Sequence, residues 1–161
     1  MNVNLIDPQY LEEAIRLSRE GMQSGQGGPF GAVIVKEGII LGRGQNLVTS
    51  TQDPTAHAEI VAIRQACIKV HDFSLAGAVL YTSCEPCPMC LASAYWAKIQ
   101  CIVFANTRKD AAQIGFDDEW IYQELSLSLE KRSLPIIPHT LRTKAIQVFH
   151  EWENKQDKIR Y

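Results

Sequence analysis

Hydrophobic residues recur along the chain at the helical period in some segments and in short β-branched runs in others. In residues 8–24, Leu11, Ile15, Leu17 and Met22 lie near the 3.6-residue spacing of an amphipathic helix, and Asp7 precedes Pro8 as the predicted N-cap. Further helices are predicted at 55–71 (opened by Asp53 and Thr55), 87–98, 119–129 and 142–158. Strands are predicted at 32–35, 39–42, 78–82, 101–105 and 136–137. Strands that alternate with helices after an opening hairpin predict an α/β fold, a three-layer α/β/α sandwich around a mixed five-stranded sheet.

The composition is that of one globular domain over residues 1–161. Hydrophobic residues make up 46% of the 161 residues and charged residues 21%, which excludes a disordered or fibrous chain. The apolar runs are far shorter than the ~20 residues of a membrane span, so no membrane partner is expected. With 16 Lys+Arg against 18 Asp+Glu and a net charge of −2, the chain lacks a basic footprint, and no nucleic-acid partner is expected.

The five cysteines are an odd number, and the first residues lack the basic start and apolar run of a signal peptide. Both observations favour a reducing, cytoplasmic location in which cysteines serve metal or redox chemistry rather than disulfides.

Three cysteines repeat every third residue in Ser83-Cys84-Glu85-Pro86-Cys87-Pro88-Met89-Cys90. A bacterial iron–sulfur run would need a fourth cysteine followed by proline, and the chain lacks it at that point. Three interpretations of these cysteines remain open: a redox pair, a zinc site, or three small buried side chains. Cys87 and Cys90 form the better ligand pair, because the prolines place them in the first turn of a helix, where unpaired N–H groups and the helix dipole stabilise thiolates. Cys84 is interpreted as structural or as a wall of the site.

A third ligand is found in Asp53-Pro54-Thr55-Ala56-His57-Ala58-Glu59. Residues two apart cannot share a helix face, but His57 and Glu59 can converge at the N-terminal end of a helix, because helical side chains lean toward that end. A zinc ion held by His57, Cys87 and Cys90 would activate water, and an unligated Glu59 would move its protons. His-x-Glu followed by Pro-Cys-x-x-Cys is the signature of zinc-dependent nucleobase deaminases.

At this point the chain resembles the cytidine-deaminase-like superfamily, and within it the bacterial guanine deaminases. The resemblance covers nearly the whole chain. Besides the two motifs above, it includes Gly27-Gly28-Pro29-Phe30-Gly31-Ala32-Val33-Ile34-Val35, Gln45-Asn46, Gly115-Phe116-Asp117-Asp118 and the terminal Tyr161.

The resemblance implies a Zn²⁺ cofactor and the hydrolysis of guanine to xanthine and ammonia, with Glu59 as the catalytic acid and base. It also implies that the purine base is contacted by Asn46, by the apolar side chains of Phe30 and Trp96, by the backbone of Ala58, and by Asp118, with Asp117 as a weaker candidate. Carboxylates suit the N1–H and 2-amino donors of guanine.

The resemblance further implies a domain-swapped homodimer. The charged tail of residues 151–161 would cross to the partner subunit, where Tyr161 would close over the active site. A free, solvated tail is the alternative.

Two other functions stay open at this stage. A tRNA adenosine deaminase shares the zinc signature but should carry basic and aromatic residues for RNA; deamination of other aminated heterocycles, such as cytosine or ammeline, is a related possibility. A structural zinc module would close its tetrahedron with a fourth protein ligand, for which Cys84 is available, and would have no use for Glu59.

Overall fold

The computed structural model describes residues 6–138 and 140–160, which divide into two compact units, Met1–Glu119 and Trp120–Tyr161. The first unit contains α1 (Pro8–Gln23), β1 (Gly31–Lys36), β2 (Ile39–Gln45), α2 (Val48–Thr51), α3 (Ala58–Val70), β3 (Val79–Cys84), α4 (Pro88–Trp96), β4 (Cys101–Asn106) and α5 (Arg108–Gln113). The sequence pattern predicted four of these strands and three of these helices to within a few residues, but not the short helices α2 and α5.

The sheet is mixed, as predicted, with strand order β2-β1-β3-β4. β1 is antiparallel to both β2 and β3, whereas β3 and β4 are parallel and are joined through α4. This topology places the carboxyl ends of β3 and β4 at one edge of the sheet, where Cys84 lies opposite Asn106.

The prediction of a fifth strand at 136–137 is wrong: the described residues form a sheet of four strands. Ile136 and Ile137 lie in an irregular segment, and Ile137 is 81% exposed. Pro135 and Pro138 flank them. Proline has no N–H to donate to a neighbouring strand, so the short apolar run between these prolines is a poor ladder partner.

Helices pack on both faces of the sheet. Ala32, Ile34 and Leu80 on one face share a buried cluster with α3 and α4, while Val33, Val35 and Tyr81 on the other face pack with α1. The alternation of side chains along β1 and β3 assigns each face its own set.

The contact of α3 with β2 is unusually close. A Cβ atom on Gly42 would lie 2.2 Å from the Ala62 carbonyl oxygen, and one on Gly44 would lie 1.9 Å from the Ala58 carbonyl oxygen. Only glycine therefore permits this approach, which fixes the N-terminal turn of α3 against the end of β2.

The start of α3 differs from the prediction that Asp53 and Thr55 open it. The helix begins at Ala58, and His57 is its N-cap. Asp53 instead closes a local turn, because its carboxylate accepts hydrogen bonds from the Thr55 N–H at 2.8 Å and the Thr55 hydroxyl at 2.6 Å. A side-chain turn of this kind competes with helix formation and delays it to His57.

The predicted helix α1 is confirmed, but its buried face was only partly anticipated. Ala14, Leu17 and Gly21 are buried, whereas Ile15 and Met22 are exposed. A Cβ on Gly31 would lie 2.2 Å from the Ala14 carbonyl oxygen. The close approach of the helix to β1 therefore depends on Gly31, and the inward face of the helix carries Leu17 between two small residues.

The second unit contains most of α6 (Glu119–Ser126), a 3₁₀ turn (Leu129–Lys131) and α7 (Arg142–Asn154). Arg132 ties this segment together by donating to the carbonyl oxygens of Leu127 and Leu125 at 3.2 and 3.3 Å. Neither α6 nor α7 has a buried residue. None of the helices in the described part of the chain is long and apolar enough to cross a membrane.

Glu13 connects α1 to the edge strand β2. It accepts hydrogen bonds from Arg16 Nε at 2.7 Å and from Arg43 Nε at 2.8 Å, and these bonds, with that from Arg16 first, lower the pKa of Glu13 to about 2. A lowered carboxyl pKa stabilises the fold at pH values above the unfolded-state pKa near 4.5, and this contribution is lost as the pH falls toward 2.

We expect Glu13→Gln to lower the free energy of unfolding by about 0.5–1 kcal/mol at pH 7 and by less at pH 3. Urea titrations at both pH values test this, with the exposed neighbour Glu12→Gln as control. An equal loss at both pH values would contradict it.

Candidate active site

Two helices begin at the same place in the first unit. His57 is the N-cap of α3 and Cys87 is the N-cap of α4, and both have extended backbone conformations. Neither side chain caps its own helix. Both side chains can therefore bind a ligand. The first N–H groups of the two helices point toward the same place.

His57, Cys87 and Cys90 form a group that fits zinc. Their ligand atoms all lie within 4.8 Å of one another, and His57 Nδ1 is 3.5 Å from Cys87 Sγ and 3.6 Å from Cys90 Sγ. Zinc bonds of standard length in a tetrahedron separate a nitrogen and a sulfur ligand by about 3.6 Å. One imidazole and two thiolates are also the borderline and soft donors that zinc selects.

The electrostatics of the group favour a thiolate at Cys87. A hydrogen bond with Cys90, and then one with His57, lower the pKa of Cys87 to about 4. The bond with Cys87 raises the pKa of His57, and the same thiolate together with burial raises the pKa of Cys90. Protons are thus already unequally shared within the group, as in a site shaped to hold a cation.

Glu59 lies in the first turn of α3 and is only 6% exposed. Its Oε2 is 3.5 Å from Cys90 Sγ, and its Oε1 accepts a hydrogen bond from the Thr82 hydroxyl at 3.4 Å. Burial raises the pKa of the Glu59 carboxyl, which suits a group that must both take up and release a proton. The structure thus brings His57 and Glu59 together at the N-terminal end of α3.

Cys84 ends β3 and lies outside the metal-binding group. It is 5% exposed, and its thiol donates to the Thr107 carbonyl oxygen at 3.5 Å. Burial and the neighbouring Glu59 raise its pKa to about 11. A protonated, hydrogen-bonded thiol at this position corresponds to a structural wall rather than a ligand.

Asn46 follows β2 and is 5% exposed. Its Oδ1 accepts hydrogen bonds from the Gly28 and Val48 N–H groups, both at 3.2 Å. A Cβ on Gly27 would lie 2.3 Å from the same oxygen, so the glycine loop can close on Asn46 only without a side chain there. Because two backbone donors hold the amide oxygen, the amide nitrogen is the end that can serve a ligand.

Phe30 packs edge-to-face against Phe116, with ring centroids 4.9 Å apart and an interplanar angle of 89°. Phe116 also approaches the glycine loop, since a Cβ on Gly28 would lie 3.0 Å from its Cζ. The pair joins the loop that follows α1 to the segment that follows α5. Phe116 was not among the predicted site residues, although its place as a lone aromatic residue inside a glycine- and aspartate-rich loop was a signal for a role.

The structure separates the roles of the two adjacent aspartates. Asp117 is exposed and accepts a hydrogen bond from the Glu119 N–H at 3.0 Å, which is a local helix-start role. Asp118 is half-buried, and burial, followed by the charge of Cys87, raises its pKa. Asp118 in turn acts on His57, so Asp118 rather than Asp117 belongs electrostatically to the metal-binding group.

The remaining predicted contacts differ in their placement. Ala58 is fully buried as the first residue of α3, and the first N–H groups of a helix have no partner within it. Trp96 ends α4, roughly 9 Å of helix rise beyond Cys90, and is 67% exposed. Tyr161 lies outside the described residues.

These features define a zinc deaminase. Residues 6–106 match the family described as the cytidine and deoxycytidylate deaminase zinc-binding region, and the chain belongs to this family. Within it, the chain is a homologue of guanine deaminase, which confirms the resemblance inferred from the sequence.

The similarity to guanine deaminases extends over the whole fold. The guanine deaminase of Bacillus subtilis strain 168 is 48% identical over 152 residues, which make up 94% of this chain and 97% of that protein. A crystal structure of guanine deaminase from Bacillus subtilis matches with a TM-score of 0.92 at 46% identity, covering 100% of this chain and 99% of that one. A tRNA-specific adenosine deaminase of Buchnera aphidicola is 30% identical over 93% of this chain and 96% of its own length.

The environment of the three cysteines predicts which of them hold the metal. We expect Cys87→Ala to lose tightly bound zinc, because it removes a thiolate ligand, whereas Cys84→Ala should retain a full complement of zinc. Elemental analysis after dialysis against a weak chelator measures this, with circular dichroism as the check on folding. Loss of zinc from a folded Cys84→Ala protein would contradict the assignment.

Proposed function

We propose that this chain hydrolyses guanine to xanthine and ammonia. The observation that carries the proposal is the buried, unligated carboxyl of Glu59 beside a three-residue zinc-binding group, because a structural zinc site needs no acid–base residue. The 48% identity to a guanine deaminase over nearly the whole chain supports guanine as the substrate.

His57, Cys87 and Cys90 hold the metal in this proposal. Zinc, when bound by three protein ligands, supplies a Lewis acid that makes water a nucleophile near neutral pH. All five cysteines are free thiols, which supports the reducing, cytoplasmic setting that such ligands require.

Glu59 carries the protons of the reaction. The oxygen of one water molecule bonds to C2 of guanine, the bond between C2 and its amino nitrogen breaks, and ammonia leaves. Glu59 accepts the first proton from the water and delivers it to the purine ring, then takes the proton of the new hydroxyl group at C2 and delivers it to the departing amine, so that it is regenerated after each turnover. Its raised pKa brings the carboxyl closer to the pH at which both transfers are efficient.

The base is held between the residues that surround this group. The Asn46 amide nitrogen donates to an acceptor on the purine edge, and the N–H at Ala58 adds a second donor. Asp118 accepts from the N1–H and 2-amino donors. Phe30, braced by Phe116, forms one apolar wall. Trp96 is exposed in a single chain, and we propose that it becomes a wall of the site once a partner subunit covers it.

The partner is a second copy of this chain. Among the described residues of the second unit, α6 and α7 bury nothing, yet Trp120, Val148, Phe149 and Trp152 present apolar side chains that are 41–70% exposed. Apolar area of this extent is costly in water unless another surface covers it. We propose a homodimer in which residues 1–161 act as one domain, the tail of residues 151–161 crosses to the partner subunit, and Tyr161 closes over the partner's bound base.

The substrate assignment predicts the outcome of a direct assay. We expect ammonia release from zinc-replete protein with guanine and not with adenine, cytidine, cytosine, ammeline or anticodon-loop RNA. Glu59→Gln should reduce the rate by at least about a hundredfold while zinc content is retained, because only the proton carrier is lost. The exposed Glu12→Gln is the matched control. Ammonia release from RNA alone would move the assignment to the tRNA adenosine deaminases. Ammonia release from cytosine or ammeline would make that heterocycle the substrate. Zinc binding with no turnover of any substrate would indicate a structural zinc module.

The swapped dimer predicts complementation between two inactive chains. Deletion of Tyr161 should weaken guanine turnover with zinc unchanged, because the lid over the base is lost. Co-expression of the Tyr161-deleted chain with the Glu59→Gln chain should restore activity. The mixed dimer then contains one site with an intact Glu59 and with Tyr161 from its partner. If Tyr161 acted in its own subunit, no site in the mixture would have both, and turnover would stay low. Full activity of the Tyr161 deletion alone would contradict the lid.

A further inference from the structure

One hydroxyl group lies in a part of the sheet that is otherwise apolar. Thr82 is in β3, on the side-chain row of Leu80, and its neighbour across the ladder is Ala32 in β1. Leu80 and Ala32 both belong to the core cluster beneath α3. Thr82 itself is 1% exposed. Valine has the same shape without the hydroxyl, and a buried hydroxyl is stable only with a hydrogen-bond partner.

That partner is Glu59, and the contact separates its two oxygens. Oε1 accepts from the Thr82 hydroxyl at 3.4 Å, whereas Oε2 faces Cys90 Sγ at 3.5 Å. The hydrogen bond to Oε1 is long, and hydrogen bonds at catalytic groups often tighten only when the reacting complex forms. The carboxyl therefore has one oxygen directed at the sheet and one at the metal-binding group.

Of the two contacts that the Glu59 carboxyl makes, only the one with Thr82 is compatible with a bound metal. Cys90 can donate to Oε2 only as a thiol, and a cysteine that ligates a metal has lost that proton. The Thr82 hydroxyl has no such competing role, so its hydrogen bond to Oε1 remains.

We propose that Thr82 is a positioning residue for Glu59: its hydroxyl holds Oε1 against the sheet and leaves Oε2 as the oxygen that exchanges protons with the reactants. Thr82 acts through Glu59 and contacts neither base nor metal. The inference rests on the proposed function, because it assigns a task to Glu59 in that reaction.

Two substitutions of Thr82 separate the effect of its hydroxyl group from the effect of its side-chain shape. Thr82→Val should lower kcat for guanine by about tenfold to a hundredfold, the range expected for one hydrogen bond to a charged group. KM, zinc content and the unfolding midpoint should stay near the wild-type values. Thr82→Ser keeps the hydroxyl and should recover most of kcat. Tyr81→Phe is the control, because it removes a hydroxyl from the adjacent residue, whose ring packs on the opposite face of the sheet.

A second measurement does not depend on turnover. In protein labelled with ¹³C-glutamate, the infrared band of Glu59 is identified by its loss in Glu59→Gln. We expect Thr82→Val to shift this band, and Thr82→Ser and Tyr81→Phe to leave it in place.

Each outcome decides between the possibilities. A folded, zinc-replete Thr82→Val protein with wild-type kcat and an unshifted band overturns the proposal but leaves the proposed function standing. A rise in KM alone, or loss of zinc, also overturns it, because Thr82 would then serve the pocket or the fold. If the wild-type protein does not act on guanine, the proposed function fails, and the band shift still shows whether Thr82 orients Glu59.

Discussion

Helix α3 lies against β2 so closely that a Cβ atom on Gly44 would come within 1.9 Å of the Ala58 carbonyl oxygen. Because glycine leaves room for this close approach, the first turn of the helix lies directly against the end of β2. The N-cap residue His57 and the buried Glu59 then lie beside the N-terminus of α4, where Cys87 and Cys90 are found. The arrangement of the candidate site therefore depends on two glycines, Gly42 and Gly44, in a strand that supplies none of the metal-binding residues.

The electrostatics of the metal-binding group follow from its close contacts. The hydrogen bonds of Cys87 with Cys90 and with His57 lower the pKa of Cys87 to about 4. Burial has the opposite effect on Glu59, since it raises the pKa of its carboxyl. One small volume thus contains a thiolate that suits a metal ion and a carboxyl that suits proton transfer.

The residues predicted to contact the base lie on loops that are joined by direct contacts. Asn46 holds the glycine loop through the Gly28 N–H, and Phe116 packs on Phe30 at the end of that loop. Two residues after Phe116 comes Asp118. Predicted substrate contacts from three separate parts of the chain are therefore close neighbours of one another. In contrast, α6 and α7 bury none of their residues.

The four strands of the sheet, the main helices and the three residues of the metal-binding group were predictable from local patterns, because β-branched runs, the 3.6-residue period and cysteine spacing act over a few residues. The fifth strand was wrongly predicted because two isoleucines outweighed the prolines on either side, and α3 was started too early because Asp53 closes a turn instead of capping a helix. Thr82 had no local signal of function, and Phe116 had only its place in the glycine- and aspartate-rich loop of residues 115–118. Their roles follow from contacts with Glu59, 23 residues away, and with Phe30. The sequence by itself determined which residues could perform the chemistry, through residue type and spacing. Only the tertiary structure decided which of them meet, because close packing between distant segments sets which oxygen of Glu59 faces Cys90 and which aspartate acts on the charge of His57.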